Sequence, residues 1–131
     1  MTNNEIYTYL RNGIVAAYEN AYVSSRYENI PASFPAVYIK EIGRNRPING
    51  ITLAFDDQQY ESTYEIQAFS NKEIGASAEA DKVMAKMEEL MNDLYFIETM
   101  RQPMTNTDPS IYRIVARFHR RLTSGDSIPT K

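Results

Sequence analysis

A chain of 131 residues, 43% hydrophobic and 24% charged, has the composition of one ordinary globular domain with a core of its own. It holds no cysteine, which excludes disulfides and thiol chemistry and suits a reducing interior. It has no apolar run long enough to span a bilayer, and its first residues, MTNNEIYTYL, are too polar and acidic for a signal peptide. The net charge of −3 hides a division: residues 1–100 carry 8 Lys and Arg against 15 Asp and Glu, whereas residues 101–131 carry 6 against 2. An acidic body with a basic end argues against general nucleic-acid binding, where basic charge dominates a domain or one of its faces. It suits pairing between an acidic surface and a basic one on a second molecule.

Along the chain, NEIYTYLRNGIVAAYEN places Ile6, Leu10, Ile14 and Ala17 at helical spacing, with Asn3 or Asn4 as the cap. Gly13 weakens that helix by about 1 kcal/mol relative to Ala. AYVSSRY is a short strand, NIPASFP a connection, and AVYIKEI a second strand with Val37 and Ile39 on one side and Tyr38 and Lys40 on the other. Residues 43–61 have no regular pattern. Asn49-Gly50 marks a turn, so this stretch is expected to form a long, hairpin-like arm. STYEIQAFS alternates Tyr64, Ile66 and Ala68 with Glu65, Gln67 and Phe69, the pattern of a half-buried strand. A second helix follows, with Ser70 and Glu73 spaced as a capping box and an apolar stripe of Ala76, Ala80, Val83, Met87, Leu90, Met91 and Leu94. YFIETMR is a strand, QPMTNTDP a turn-rich connection, and SIYRIVARFHRRL the last strand. The fold class expected is α+β: a two-layer domain with a mostly antiparallel sheet and two helices on one face. It covers residues 1–122 as a single domain with its arm at 43–61, followed by a flexible tail at 123–131.

Chemistry-bearing patterns are few. There is one histidine, His119, and no cysteine, so a zinc-type ligand set cannot be assembled. No G-x-S-x-G elbow, Walker loop or G-x-G-x-x-G occurs. Asp56-Asp57, with Glu61, could hold a divalent cation, but a solvated loop is the favoured reading. Met84, Met87 and Met91 fall at helical spacing, where methionines pack as core. The expectation is a chain with no enzymatic activity and no cofactor.

The sharpest feature is the last strand. Its alternation puts Arg113, Arg117, His119 and Arg121 on one face, opposite Ile114, Ala116, Phe118 and Leu122. Three readings fit: a solvated face whose arginines pair with Glu65 or Glu98 on neighbouring strands, an assembly interface, or a DNA contact. The candidate interface residues are these four together with Arg44, Arg46, Asp56 and Asp57 of the arm.

Three stretches carry a family resemblance: Phe34-Pro35 ahead of a strand, Tyr64 through Asn71 leading from strand to helix, and Asn106 through Arg113 leading into the last strand. With them the chain resembles the tail terminator, or tail-to-head joining, family of long-tailed phages and prophages of Gram-positive bacteria, of the lambda-like type. The resemblance implies a homo-hexameric ring that caps the tail tube, stops its growth and meets the head-closure or connector protein. DNA would only pass through the lumen, and no membrane would be involved. Its place would be the tail-neck region of the virion, and the host cytoplasm during assembly. A head-closure or adaptor protein of the same neck and a small nucleic-acid-binding module are the alternatives.

Overall fold

The computed structural model describes residues 2–28, 31–45, 59–106, 108–123 and 128. Two helices, α1 (Asn3–Ala17) and α2 (Ala76–Asp93), lie on one face of a five-stranded sheet. The strands are β1 (Tyr22–Ser24), β2 (Ala36–Asn45), β3 (Gln59–Ser70), β4 (Ile97–Met104) and β5 (Tyr112–Thr123), in the order β1-β2-β3-β5-β4. The α+β reading holds.

The helices form where the apolar spacing requires them. Ile6, Leu10 and Ile14 of α1 are buried, as are Ala80, Val83, Met84, Met87, Leu90 and Met91 of α2. They meet Val37 and Ile39 of β2, Tyr64, Ile66 and Ala68 of β3, and Ile114, Ala116, Phe118 and Leu122 of β5. The cap of α1 is Thr2 instead of Asn3 or Asn4. Thr2 Oγ1 accepts from the Glu5 backbone N–H, and the Glu5 carboxylate accepts from Thr2 N–H, both at 3.1 Å. Those bonds hold the Glu5 carboxyl below its usual range. Asn3 is used elsewhere, its Oδ1 accepting from the Tyr64 hydroxyl at 2.6 Å. Burial pushes that phenol up, so it stays a donor.

The expected capping box of α2 does not form. Gly75 is the N-cap, in the left-handed region at φ 84°, and Ser70 Oγ instead donates to Glu79 across the turn at 2.6 Å. At its other end α2 closes with Tyr95 at φ 62°, where the Phe96 N–H reaches Met91 O and the Tyr95 N–H reaches Asn92 O, both at 2.9 Å. This is the Schellman pattern, made here without glycine. Arg120 of β5 donates to Leu94 O at 2.8 Å and lies over the Tyr95 ring, so a cation meets the negative end of α2.

The sheet is mostly antiparallel, with β1 parallel to β2 as the exception, and two expectations about strand ends are corrected. The connection from 25 to 35 is nearly as long as the dozen residues that a parallel crossover needs. Strand pairing also extends into the stretch expected to be irregular: Gly43, Arg44 and Asn45 pair with Thr63, Ser62 and Glu61 past a bulge at Glu41/Gly43. Backbone hydrogen bonding to a ready partner strand needs no side-chain alternation. Likewise β4 runs on through Gln102, Pro103 and Met104, expected to be a turn-rich connection. Proline is tolerated there because β4 is an edge strand. The core of the arm, 46–58, lies outside the described residues. Of the stretch 123–131, Thr123 is still strand and Ile128 packs against the core.

Gly13 has a packing reason. A Cβ added there would stand 2.5 Å from Leu90 Cδ2, so the glycine lets α2 approach α1. With Leu90 in place, Gly13→Ala should gain nothing or destabilise, and Gly13→Val should cost about 1–3 kcal/mol. In a Leu90→Ala background, Gly13→Ala should stabilise by about 1 kcal/mol, its helix-propensity advantage. Urea unfolding of the four variants measures this coupling.

Candidate functional site: the helix-free sheet face

Among the described residues, no helix covers the second face of the sheet. Its residues follow from the period of two and the register. Across β2, β3 and β5, one row is Lys40, Glu65 and Arg117, and the next is Gly43, Thr63 and His119. Glu61 faces Arg121 and Phe69 faces Arg113. On β4, the partners of His119, Arg117, Val115 and Arg113 are Ile97, Met100, Gln102 and Met104. The four basic or imidazole residues expected on one face, Arg113, Arg117, His119 and Arg121, are therefore together.

They are also paired within the chain. Arg117 Nε lies 3.3 Å from Glu65 Oε1, and Arg121 Nη2 lies 3.2 Å from Glu61 Oε1. His119 Nδ1 sits 3.2 Å from Thr63 Oγ1. Glu98, the other expected partner, pairs with Arg101 at 2.6 Å on the helix side, and Arg101 also reaches Glu88 of α2 at 3.2 Å. The cross-strand reading of the arginine face is thus realised through Glu65 and Glu61.

Arg113 has a different task. Its guanidinium donates to the Tyr27 hydroxyl and lies over the Tyr27 ring, 5.6 Å from the centroid. Tyr27 meets Tyr38 edge-on, with centroids 6.0 Å apart. The connection after β1 is in this way held down on the helix-free face as a strap, beside a small apolar cluster of Ala36, Tyr38, Phe69 and Ile111. Nothing in the spacing of residues 25–28 announced this; only the aromatic Tyr27 among polar neighbours hinted at it.

Arg44 lies on the opposite face. Its register partner is Ser62, which is buried, and both side chains meet Glu41: Arg44 Nε at 2.9 Å and Ser62 Oγ at 2.6 Å. The structure does not bring Arg44 to the arginines of β5. Arg46, Asp56 and Asp57 lie outside the described residues. Among the described residues, no group of three or more His, Asp or Glu side chains comes together to hold a metal ion. No described helix is long and apolar enough to cross a membrane.

The stretch Asn106–Arg113 has a local physical role. Asp108 accepts from Ser110 N–H at 2.9 Å and from Ser110 Oγ at 2.6 Å, and the Ile111 N–H closes on Asp108 O at 3.1 Å. This turn aims β5 into the sheet. The Ser110 bonds hold the Asp108 carboxyl below its usual range, so its contribution is present at neutral pH and is lost as pH falls through the lowered value.

No protein-family model matches the chain, and no curated protein matches it either. Among solved structures, a chain of a structure described as "Virion of native gene transfer agent (GTA) particle" shares the fold. The TM-score is 0.64 at 13% identity, over 92% of this chain and 93% of that one.

The two kinds of arginine contact separate in stability. Arg117→Ala and Arg121→Ala should each change stability by less than about 1 kcal/mol, as half-exposed ion pairs do. Arg113→Ala should cost about 1–3 kcal/mol, because it removes a charged hydrogen bond and a cation–π contact together. Tyr27→Phe keeps the ring and should lose only part of that. Chemical denaturation of the four variants gives the ranking.

Proposed function

We propose that the chain is a structural subunit of a phage-like particle and, within that class, the tail terminator: a ring, six-fold by family resemblance, that caps the tail tube and joins it to the head connector. The observation that carries the class is the likeness of fold, nearly end to end, to a chain of a gene transfer agent virion. The finer role rests on the resemblance of Phe34-Pro35, Tyr64–Asn71 and Asn106–Arg113 to the terminator family. Each has a structural place: ahead of β2, from β3 toward α2, and in the turn before β5.

In this reading no catalytic step belongs to the protein. Its partners are its own copies, the tail tube protein and the head-closure or connector protein. DNA only passes through the lumen, and assembly takes place in the host cytoplasm. The intramolecular pairing of Arg117 and Arg121 supports an interaction role over a DNA-binding one, because paired arginines displace fewer counterions from a phosphate backbone. The competing role is a head-closure or adaptor subunit of the same neck.

Loss of the gene separates the two. For a terminator, tails of irregular length without heads are expected, and labelled protein should decorate the head-proximal tail end of intact particles as a six-fold ring. Tails of normal length beside unjoined heads would move the assignment to head closure. Absence of the protein from purified particles would refute the class.

A further inference from the structure

Charge is divided between the two layers of this fold. The helix-free face carries Lys40, Arg113, Arg117 and Arg121 against Glu61 and Glu65. On the other side, α2 carries Glu79, Asp81, Glu88, Glu89 and Asp93 against Lys82 and Lys86. Lys72 and Arg101 pair with Glu79 and Glu88 from outside α2, so the negative excess on α2 is small, while the sheet face keeps a positive excess. Arg113, Arg117 and Arg121 bring part of the basic end of the chain to the sheet face, while Arg101 and Arg120 stay on the helix side.

The open part of the sheet face is bounded. The Tyr27 strap covers one end, and Ile97 and Met100 of β4 stand at the far side, Ile97 being 70% exposed. Between them lie Lys40, Glu65 and Arg117 in one row and Thr63 and His119 in the next. Four strands at about 4.8 Å spacing, with ladders of up to twelve residues at about 3.3 Å each, give a face of roughly 700 Å² before the strap is subtracted. That is at most the share one partner contributes to a standard interface, about 800 Å². Docking by strand addition is disfavoured at the β4 edge, which is blunted by the Glu98/Met100 bulge, by Arg101 and by Pro103. At that edge, contact must come face-on.

The exposed ridge of α2 suits a flat, basic surface. Ala78, Asp81, Ala85, Glu89 and Asn92 are all exposed and recur at helical neighbour spacing. The small residues allow close approach, and Asp81 presents negative charge, while Glu89 is paired with Lys86 at 3.3 Å.

We propose that the helix-free sheet face of one copy docks the α2 ridge of a second copy, head to tail. The inference deepens the ring reading and rests on it for the identity of the occupant. One chain bears both complementary surfaces, so each copy supplies what the next one needs. The two patches differ, so the contact is heterologous: it leaves an unfilled patch at each end and continues until it closes. Lys40 and Asp81 lie at its centre.

The absence of cysteine from the sequence makes the contact directly testable. A Met100→Cys protein and an Ala85→Cys protein, which keep the charges of both patches, are mixed and oxidised with diamide. Met100 lies on an edge strand and Ala85 is exposed, so both variants should fold, and circular dichroism checks this. The mixed disulfide should form about tenfold faster than either homodimer at low salt, the scale of electrostatic steering. The preference should fade near 1 M salt, where the Debye length is about 3 Å. Gln102→Cys with Ala78→Cys gives an independent second pair. A statistical mixture of the three disulfides, or an excess of either homodimer, overturns the proposal. So does retention of duplex DNA that blocks modification at Met100→Cys. Particle localisation is read separately: a protein present in particles whose disulfides form at random keeps its proposed function and loses this contact.

Discussion

Everything in this fold hangs on the ladder between β3 and β5. It runs unbroken from Gln59 opposite Thr123 to Ser70 opposite Tyr112, with one face under the helices and the other open. A strand has a period of two, so a slip of one residue would exchange the faces. Glu65 and Arg117 would then enter the core among Met87 and Leu90, while Ile66 and Ala116 would turn to water. Burying unpaired charge costs several kcal/mol, so the wrong register is excluded by its electrostatics as much as the right one is favoured by its burial. The arginines of β5 thus guard the register whatever else they do.

The two layers solve their polar requirements differently. On the helix side the work is local capping and bridging: Arg120 meets the end of α2, Arg101 ties β4 to Glu88, and Tyr9 reaches Asp93 at 3.1 Å between the helices. On the open side, carboxylates of β3 hold the arginines of β5 in extended, ordered positions. An arginine fixed this way has already lost part of its side-chain freedom, so a further partner orders less on binding. The intramolecular pairs and an intermolecular role are therefore compatible, and the pairs preorganise the face.

Much of this was readable from the sequence because it rests on periodicity. The stripes of α1 and α2, the alternation of β3 and the sorting of β5 each put a residue in the core or out of it, and the structure follows them. What escaped depends on partners distant in sequence. Gly13 looked like a weakness in a helix until Leu90 was placed beside it. Arg113 looked identical to Arg117, yet one holds Tyr27 and the other Glu65. Arg44 seemed to belong to the irregular arm, but strand pairing past a bulge and Glu41 assign it to the helix side of the sheet. Strand ends at Asn45 and Met104 were missed because ladder pairing, not side-chain pattern, carries them.

The order of the strands in the sheet has a kinetic consequence. The central pair, β3 and β5, is separated in the chain by the whole of α2 and β4, and β4 can join the sheet only through β5. Before residues 112–123 are in place, only β1, β2 and β3 can pair as neighbours, beneath helices that lack part of their sheet. Closure of so long a loop precedes most of the favourable contacts, which makes for slow, cooperative folding. Synthesised from the N-terminus, the chain cannot acquire its charged face until β5 has emerged. The basic sheet face therefore appears only on a subunit whose core is already complete.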